Sequence, residues 1–357
     1  MRVAACLIAL ALSSGAARAD ETARLQIVRN AVESVILPAY GDLAAKTKAL
    51  AADVGGLCDR PSAAALGKAR AAFADVVTAW GRIEFVQFGP VREDNRLERI
   101  LFFPDRRGIG LKQIQQWIAK PEDKAPDATA LAAKSAAVQG LPALEFVLHG
   151  TGSADLAGPA SAWRCAVGAA IAGNLDIVAG EVLEDWSDAG GIRRDLENPG
   201  AGNLLYRSSD EALAQVLKVL PNGYELMAET RVKPVLGDDA ASAKSKAAPF
   251  WRSGLTARSL DANLDGLAKL AATEGLAEGL PDDLRSWVPG NLVFETGQAR
   301  ALVSASGDDL ASDAATEQGH ARLTVVLGQI ESLRETASTG VLGGYGLAAG
   351  FSSLDGD

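Results

Sequence analysis

IEFVQFG at residues 83–89 recurs as LEFVLHG at residues 144–150, and four of the seven positions are identical. Each copy places one carboxylate, that of Glu84 or Glu145, in an apolar and aromatic stretch. An ionised carboxylate that leaves water needs an ion pair, hydrogen bonds or a metal ion, or it takes up a proton. The repeat therefore marks the two glutamates as candidate site residues. The alternative is that each glutamate faces solvent while its apolar neighbours face the core.

The sequence around the two copies predicts an all-α fold. Alanine and leucine dominate long runs that lack both period-two alternation and clusters of β-branched residues. Helices predicted at Pro61–Phe88 and Ala128–His149 would be followed by Gly89 and Gly150, at the position of a C-terminal glycine cap. Each glutamate then lies near the last helical turn. The helix dipole disfavours an anion there, so a compensating cation is expected.

The first residues predict export from the cytoplasm. Arg2 is followed by a short apolar run, Val3–Leu12, and then by small residues that end at Ala19. This order is typical of a secretory signal peptide, here residues 1–19 with cleavage after Ala19. No later segment approaches about 20 unbroken apolar residues, so no transmembrane segment is expected. The sequence thus predicts a soluble periplasmic protein.

The mature chain of 338 residues (357 − 19) is long enough for about two domains. A loop rich in glycine, asparagine and proline, Gly190–Asn203, predicts the boundary between helical-bundle domains at 20–195 and 196–340. LPAYGDL at residues 37–43 weakly resembles LPNGYEL at residues 220–226, which favours pseudo-symmetry between the two domains. The Gly/Ser-rich segment 341–357 is expected to be a flexible tail.

Charge and cysteine content narrow the function further. Loss of Arg2 and Arg18 with the signal peptide leaves a net charge of 33 − 45 = −12. An acidic chain is a poor nucleic-acid binder, because phosphate contacts need clustered lysine and arginine. In an oxidising compartment Cys58 and Cys165 predict a disulfide, with two buried free thiols as the alternative. The two histidines are too few for a histidine-rich metal site.

Two further segments contribute candidate site residues. Helical spacing places Trp80 on the same face as Glu84, which argues against a freely solvated carboxylate. Arg96 and Arg99, in the charged segment between residues 89 and 110, are the candidate ion-pair partners of Glu84. FWRSGLT at residues 250–256 precedes a predicted helix that Ser253 could cap. The neighbouring arginine, Arg252, is instead suited to bind a ligand carboxylate or phosphate as a fork.

Several of these stretches resemble the imelysin-like family of exported bacterial proteins. The stretches are AWGRIE at 79–84, FGP at 88–90, FPD at 103–105, GLPALE at 140–145 and FWRSG at 250–254. The resemblance implies two packed helical-bundle domains with pseudo-symmetry and a site at their interface. It also implies a link to iron acquisition, including periplasmic subunits of iron uptake systems, and it carries a metallopeptidase label.

The chain departs from the family signature Gly-x-His-x-x-Glu at one position. Gly140 and Glu145 match, but Pro142 occupies the histidine position. Proline has no side-chain lone pair, so the His/Glu metal pair of the signature cannot form. The chain therefore resembles a divergent branch of the family, and the expectations of iron binding and of peptidase activity are both weakened.

Three functions follow from this sequence. The first is a periplasmic binding protein linked to iron or another metal, with Glu84 and Glu145 as hard oxygen ligands and arginines holding an anionic ligand. The second is a metal-free scaffold protein whose two glutamates pair with arginines of residues 92–107. The third is a hydrolase with a glutamate as general base, although three clear zinc ligands are lacking, so an enzyme is not expected.

The predicted partners are iron-uptake components or a small anionic ligand. The candidate ligand-binding residues are Glu84, Glu145, Arg82, Arg96, Trp80, Arg252 and Ser253.

Overall fold

The computed structural model describes residues 20–307 and 309–348, which form helices joined by loops, with no β-strand among them. The predicted all-α class is confirmed. The predicted signal peptide and residues 349–357 of the predicted tail lie outside the described residues. The α-helices are α1 (20–31), α2 (Leu37–Asp59), α3 (Ala63–Gly81), α4 (Arg96–Ile100), α5 (Ile109–Ala119), α6 (Leu141–His149), α7 (Ala162–Ser187), α8 (Ile192–Glu197), α9 (Ser209–Leu217), α10 (Val219–Met227), α11 (Lys233–Leu236), α12 (Thr256–Ala271), α13 (Asp282–Arg285), α14 (Val288–Ala305), α15 (Leu310–Asp313) and α16 (Glu317–Glu335).

The helices pack in two groups around one continuous hydrophobic core. In the first group, α2 packs on α3 and α7, and α6 packs on α7; in the second, α14 and α10 pack on α16 and on α12. Helices α3 and α12 join the two groups along their length. The predicted domain boundary at residue 195 falls inside the short helix α8, and both the two-domain division and the pseudo-symmetry stay predictions.

Helix α7 lies at the centre of the first group. The stretch Pro159–Glu197 that contains it is long and apolar enough to cross a membrane by length and composition, with a mean hydropathy of 1.5. Its apolar window is 56% buried inside the protein, where it contacts α2, α4 and α6. Its apolar composition therefore has an explanation in core packing.

Helix α3 ends seven residues earlier than the sequence predicts, so Glu84 follows the helix instead of lying in its last turn. Its last residue, Gly81, lies so close to α12 that a β-carbon there would be 2.8 Å from the β-carbon of Ala262. Asn263 on α12 donates a hydrogen bond of 2.7 Å from Nδ2 to the carbonyl oxygen of Gly81. The chain then turns, because α12 supplies the donor that a further helical turn would have provided.

The predicted helix over residues 128–149 is also shorter, and only its last part, α6, is α-helical. Two short 3₁₀ turns, Thr129–Ala133 and Ala136–Val138, come first. Gly140 then passes so close to α4 that a β-carbon would lie 2.4 Å from the carbonyl oxygen of Ile100. Pro142 follows in the first turn of α6, where a missing N–H is harmless. The signature glycine is thus required by a close backbone approach.

Neither predicted glycine cap has the expected form. Gly150 has a φ of −73°, outside the left-handed region, and the guanidinium of Arg164 donates instead to the carbonyls of Phe146 and Val147 at the end of α6. Gly89 does adopt a positive φ of 67°, but it opens a 3₁₀ segment and not the end of α3. Gly150 is still the C-cap residue of α6, and its N–H donates to the carbonyl oxygen of Phe146 at 2.9 Å, so the charged side chain adds to the predicted glycine cap.

Two other predictions concern covalent and terminal structure. Cys58 at the end of α2 is bonded to Cys165 in α7, so the predicted disulfide is confirmed. The tail boundary at residue 341 is too early. Val341 and Leu342 are fully buried, and the hydroxyl of Tyr345 donates to the carbonyl oxygen of Leu276 at 2.7 Å. Apolar side chains at these positions fix the segment to the core in spite of its glycines.

Removal of the disulfide should lower the free energy of unfolding. The bond joins residues 107 positions apart, and closing a loop of about that length stabilises a protein by up to about 4–5 kcal/mol in the chain-entropy model. We expect the Cys58→Ser/Cys165→Ser variant to show this loss in urea unfolding, and reduced wild-type protein to match it. A variant as stable as the oxidised wild type would contradict the prediction.

Candidate functional site

Glu84 is a buried residue at the junction of the two helical groups, with 3% of its surface exposed. Its Oε2 accepts a hydrogen bond of 2.9 Å from Nη2 of Arg231, and its Oε1 accepts one of 2.8 Å from Nδ2 of Asn263. Arg231 belongs to a π-helical segment, Ala228–Val232, and is itself 6% exposed. The carboxylate is therefore paired inside the protein, and the solvent-facing alternative is wrong for Glu84.

The predicted partners of Glu84 are wrong. Arg96 instead contacts Glu181 at 3.2 Å and Asp185 at 2.6 Å, both on α7. Among the residues that the structure describes, Arg99 donates to the side-chain amide oxygens of Gln139 and Asn174. Both arginines follow Glu84 closely in sequence, but the 3₁₀ segment Gly89–Asn95 and α4 carry them to the α7 side of the first helical group.

Trp80 and Arg82 do not reach a common site with Glu145. Trp80 is 1% exposed in the core, and its indole Nε1 has no hydrogen-bond partner among the described residues. Arg82 is part-exposed and pairs with Asp265 of α12 at 3.1 Å and, more distantly, with Asp42. The ion pair with Asp265 ties the end of α3 to the second helical group.

Glu145 occupies a different buried position, on α6, with 3% of its surface exposed. Its Oε1 accepts two hydrogen bonds from Ser253, one of 2.9 Å from the backbone N–H and one of 2.8 Å from the hydroxyl. Nη1 of Arg252 lies 4.0 Å from Oε2. Burial raises the pKa of Glu145, and the donors of Ser253 together with the Arg252 charge oppose that rise. The sequence-predicted residues Glu145, Arg252 and Ser253 thus come together.

The loop that carries Arg252 and Ser253 is held by its own hydrogen bonds. Phe250 has a positive φ of 57°, which is rare for an aromatic residue. Its carbonyl oxygen lies 3.0 Å from the hydroxyl oxygen of Ser253, whose single proton is shared between this carbonyl and Glu145. The hydroxyl of Thr256 donates to the carbonyl oxygen of Pro249 at 2.8 Å. Strained backbone of this kind persists where the surroundings fix it, commonly at binding sites. Ser253 therefore contacts Glu145 and does not cap α12, whose cap position is Leu255.

Glu145 and Arg252 line a cavity of about 370 Å³ between the two helical groups. Most of its wall is apolar, and the guanidinium of Arg252 lies 4.3 Å from the ring centroid of Trp251 and 5.8 Å from that of Phe146. Residues 101–114 and 137–146 of the first helical group and residues 229–252 of the second supply the lining. A mostly apolar and aromatic wall with a few charged groups is typical of a small-molecule site. The charged groups here are Glu145 and Arg252 together with Asp105, Arg106, Glu229 and Lys246.

The FPD stretch forms one rim of this cavity. Asp105 accepts hydrogen bonds from the backbone N–H groups of Ile109 and Gly110, at 2.8 and 2.9 Å, and so fixes the start of α5. Phe103 lines the cavity, and the guanidinium of Arg231 lies 4.8 Å from its ring centroid. This stacked arginine connects the cavity wall to the Glu84 ion pair.

The site also contains residues that the sequence reasoning missed. Arg231 and Asn263 bind Glu84 from the second helical group, and Trp251 and Phe103 flank the cavity. Phe103 and Trp251 lie within FPD and FWRSG, two stretches that resemble the imelysin-like family. The resemblance could therefore have identified both as candidate site residues. No local pattern marks Arg231 or Asn263, because each contacts Glu84 across more than 140 residues of chain.

A shared metal site at Glu84 and Glu145 stays a prediction that the geometry does not favour. Glu84 is bound by Arg231 and Asn263, and one oxygen of Glu145 is taken by Ser253. Over residues 20–307 and 309–348 no group of three or more histidine, cysteine, aspartate or glutamate side chains is placed to hold a metal ion. Pro142 lines the cavity where the signature histidine would stand. The donors present therefore do not fit a bare metal ion.

Comparison with known proteins assigns the family. Residues 36–338 match the family model described as Imelysin, Peptidase_M75. The chain belongs to the imelysin family. Its fold is similar to the crystal structure of an imelysin-like protein from Psychrobacter arcticum 273-4, with 22% identity, a TM-score of 0.78, and coverage of 93% of this chain and 98% of that one. No curated protein matched.

A second solved structure has the same fold. It is the crystal structure of a "putative iron-regulated protein A precursor" from Parabacteroides distasonis ATCC 8503, with 15% identity and a TM-score of 0.70. The alignment covers 90% of this imelysin-family chain and 95% of that protein. At these identities the two structures establish the fold alone.

Loss of the Glu84 charge should destabilise the protein. Glu84→Gln leaves the buried Arg231 without its counter-charge, and breaking a buried pair in this way costs about 3–5 kcal/mol. Glu229→Gln is the control, because its pair with Lys233 is exposed and should cost below about 1 kcal/mol. Urea unfolding measures both. Equal losses in the two variants would contradict a structural role for the Glu84–Arg231 pair.

The raised pKa of Glu145 predicts a pH dependence of stability. The protonated form is favoured in the folded state, so its contribution is complete below the ordinary glutamate pKa and is lost as the pH rises through the raised pKa. Glu145→Gln removes this loss, so the variant should gain stability relative to wild type as the pH rises. Burial and Arg70 lower the pKa of His149 to about 4, which gives the opposite slope. That slope cancels, because both proteins contain His149.

Urea unfolding of the two proteins across the acidic to neutral range measures this difference. A difference between wild type and Glu145→Gln that stays constant with pH would show that the carboxyl group is not perturbed.

Proposed function

We propose that this imelysin-family chain is a periplasmic binding protein whose ligand occupies the cavity between the two helical groups. The observation that carries the proposal is the mostly apolar and aromatic cavity wall, in which Nη1 of Arg252 lies 4.0 Å from Oε2 of Glu145. A ligand with an apolar body and a polar head matches this distribution. Export of the chain by its signal peptide remains part of the proposal.

The polar head of the ligand would contact Arg252 and Glu145. Arg252 has one carboxylate within reach, at 4.0 Å, and its guanidinium lies beside two aromatic rings. A guanidinium in this position binds a planar carboxylate while the ring of the ligand stacks on the aromatic wall. Ser253 holds Oε1 of Glu145, which leaves Oε2 for a donor on the ligand. A small organic anion is the class that fits.

A link to iron is supported by a fold relative named for iron regulation. Because the described residues do not form a site for a bare ion, iron would enter the cavity as part of an organic complex. The competing hypothesis is that Glu84 and Glu145 bind the iron ion directly. The peptidase label finds no counterpart in the cavity, where Glu145 has no histidine or cysteine beside it in the wall.

A ligand-free scaffold protein is the second candidate function. The Glu84–Arg231 pair favours it, since this contact fastens the two helical groups without any ligand. The scaffold hypothesis expects the cavity to stay unused, and its predicted partners, the arginines of residues 92–107, are replaced by Arg231. The two functions differ in whether the Glu145 cavity binds a molecule.

Native mass spectrometry and elemental analysis of the exported protein test the proposal. We expect an organic molecule to co-purify with the wild-type protein. The Arg252→Gln variant should bind it about tenfold more weakly or worse, because a charge-assisted contact disappears. Arg107→Gln, which removes an exposed guanidinium outside the cavity lining, is the control. Quenching of Trp251 fluorescence reports rebinding, with Trp251→Phe identifying its signal.

The other outcomes separate the candidates. Stoichiometric iron without an organic molecule, lost in Glu145→Gln, would overturn the organic ligand in favour of direct metal binding. Absence of any bound molecule, together with no fluorescence response to small organic anions, would favour the scaffold protein.

A further inference from the structure

A second cavity lies on the α7 side of the first helical group, away from Glu145. It has a volume of about 600 Å³ and shares no lining residue with the first cavity. The loop before α4, the 3₁₀ turn Thr129–Ala133 and α7 enclose it. Its polar wall is formed by Asp94, Asn95, Arg96, Arg99, Asn174 and Glu181.

Arg99 has an unusual position in this wall, because it is a buried cation without a counter-charge. Only 8% of its surface is exposed, and among the described residues no carboxylate lies within ion-pair distance of it. Nε donates to Oε1 of Gln139 at 2.8 Å, and Nη2 donates to Oδ1 of Asn174 at 3.1 Å. Neutral amides compensate only part of a buried charge. Arg96, one helical turn earlier, has three carboxylates within 4.0 Å, those of Glu93, Glu181 and Asp185.

The two amides are fixed in place by further hydrogen bonds. Nε2 of Gln139 donates to the carbonyl oxygen of Lys134 at 2.7 Å, and Nδ2 of Asn174 donates to the carbonyl oxygen of Gln139 at 3.2 Å. Their oxygens therefore point at Arg99 and hold its guanidinium in one orientation. Nη1 donates to none of the described residues, so it is the nitrogen left for a ligand. This arrangement is preorganised for one acceptor.

We propose that Arg99 is the anchor of a second binding site, for a small oxyanion such as phosphate or a short carboxylate. The anion supplies the missing counter-charge, and Nη1 supplies a charge-assisted hydrogen bond. Glu181 does not compete for Arg99, because Arg96 binds it at 3.2 Å. The site is independent of the proposed ligand of the Glu145 cavity.

Isothermal titration of the full exported protein with inorganic phosphate and with succinate, at constant ionic strength, tests the proposal. We expect binding by wild type and binding about tenfold weaker or worse in Arg99→Gln. Ala132→Glu tests the site without altering Arg99. Ala132 is exposed and lines the cavity, so a carboxylate there adds a negative charge to the cavity wall and should repel the anion. Ala133→Glu carries the same charge on the next residue, outside the lining.

The proposal holds if Ala132→Glu loses binding and Ala133→Glu keeps it, and it needs no assumption about the folding of Arg99→Gln. Binding of only phosphate or only succinate identifies the class of oxyanion. Equal affinities in the two glutamate variants, or no binding of either anion to wild type, would overturn it. The Arg252→Gln variant should bind inorganic phosphate like wild type, which separates this site from the first cavity.

Discussion

The buried contact between Glu84 and Arg231 is the constraint on which the rest of the structure depends. It joins the turn after α3 to the π-helical segment Ala228–Val232, and Asn263 of α12 completes it. The ion pair is possible only because α3 stops at Gly81, where α12 approaches too closely for a side chain. Since Arg231 also lies against Phe103, the same contact sets one wall of the Glu145 cavity. A buried pair of this kind specifies an arrangement more than it stabilises one.

The two similar heptapeptides thus place their glutamates in different contacts. In the first copy the glutamate lies beyond its helix and meets a charged partner across the interface. In the second it lies inside α6 and meets the hydroxyl and backbone N–H of Ser253. The difference follows from the residues before each copy, because Gly81 ends one helix while Pro142 begins the other. Local similarity therefore predicted burial for both glutamates but not their partners.

How far the sequence predicts the structure can be judged from these partners. The helical class was predicted from composition over the whole chain, and the Cys58–Cys165 bond from the expectation of an oxidising compartment. Arg252 and Ser253 were predicted as site residues from the FWRSG stretch, and Glu145 was predicted separately from the repeated heptapeptide. Their contact with one another was not predicted. Arg231 was not predicted, because 147 residues separate it from Glu84 and no periodicity encodes that pairing. Arg96 and Arg99 were expected only because they are near in sequence.

Pro142 connects the divergence of this chain to its chemistry. At the signature histidine it removes a metal ligand, yet it fits the first turn of α6 and adds apolar surface to the cavity. A histidine there would bring a donor pair next to Glu145, whereas the proline leaves Glu145 with Ser253 and Arg252 as its polar neighbours. Burial raises the pKa of the Glu145 carboxyl group in these surroundings. A site altered in this way is better suited to the head group of an organic anion than to a metal ion, which requires several converging oxygen or nitrogen ligands.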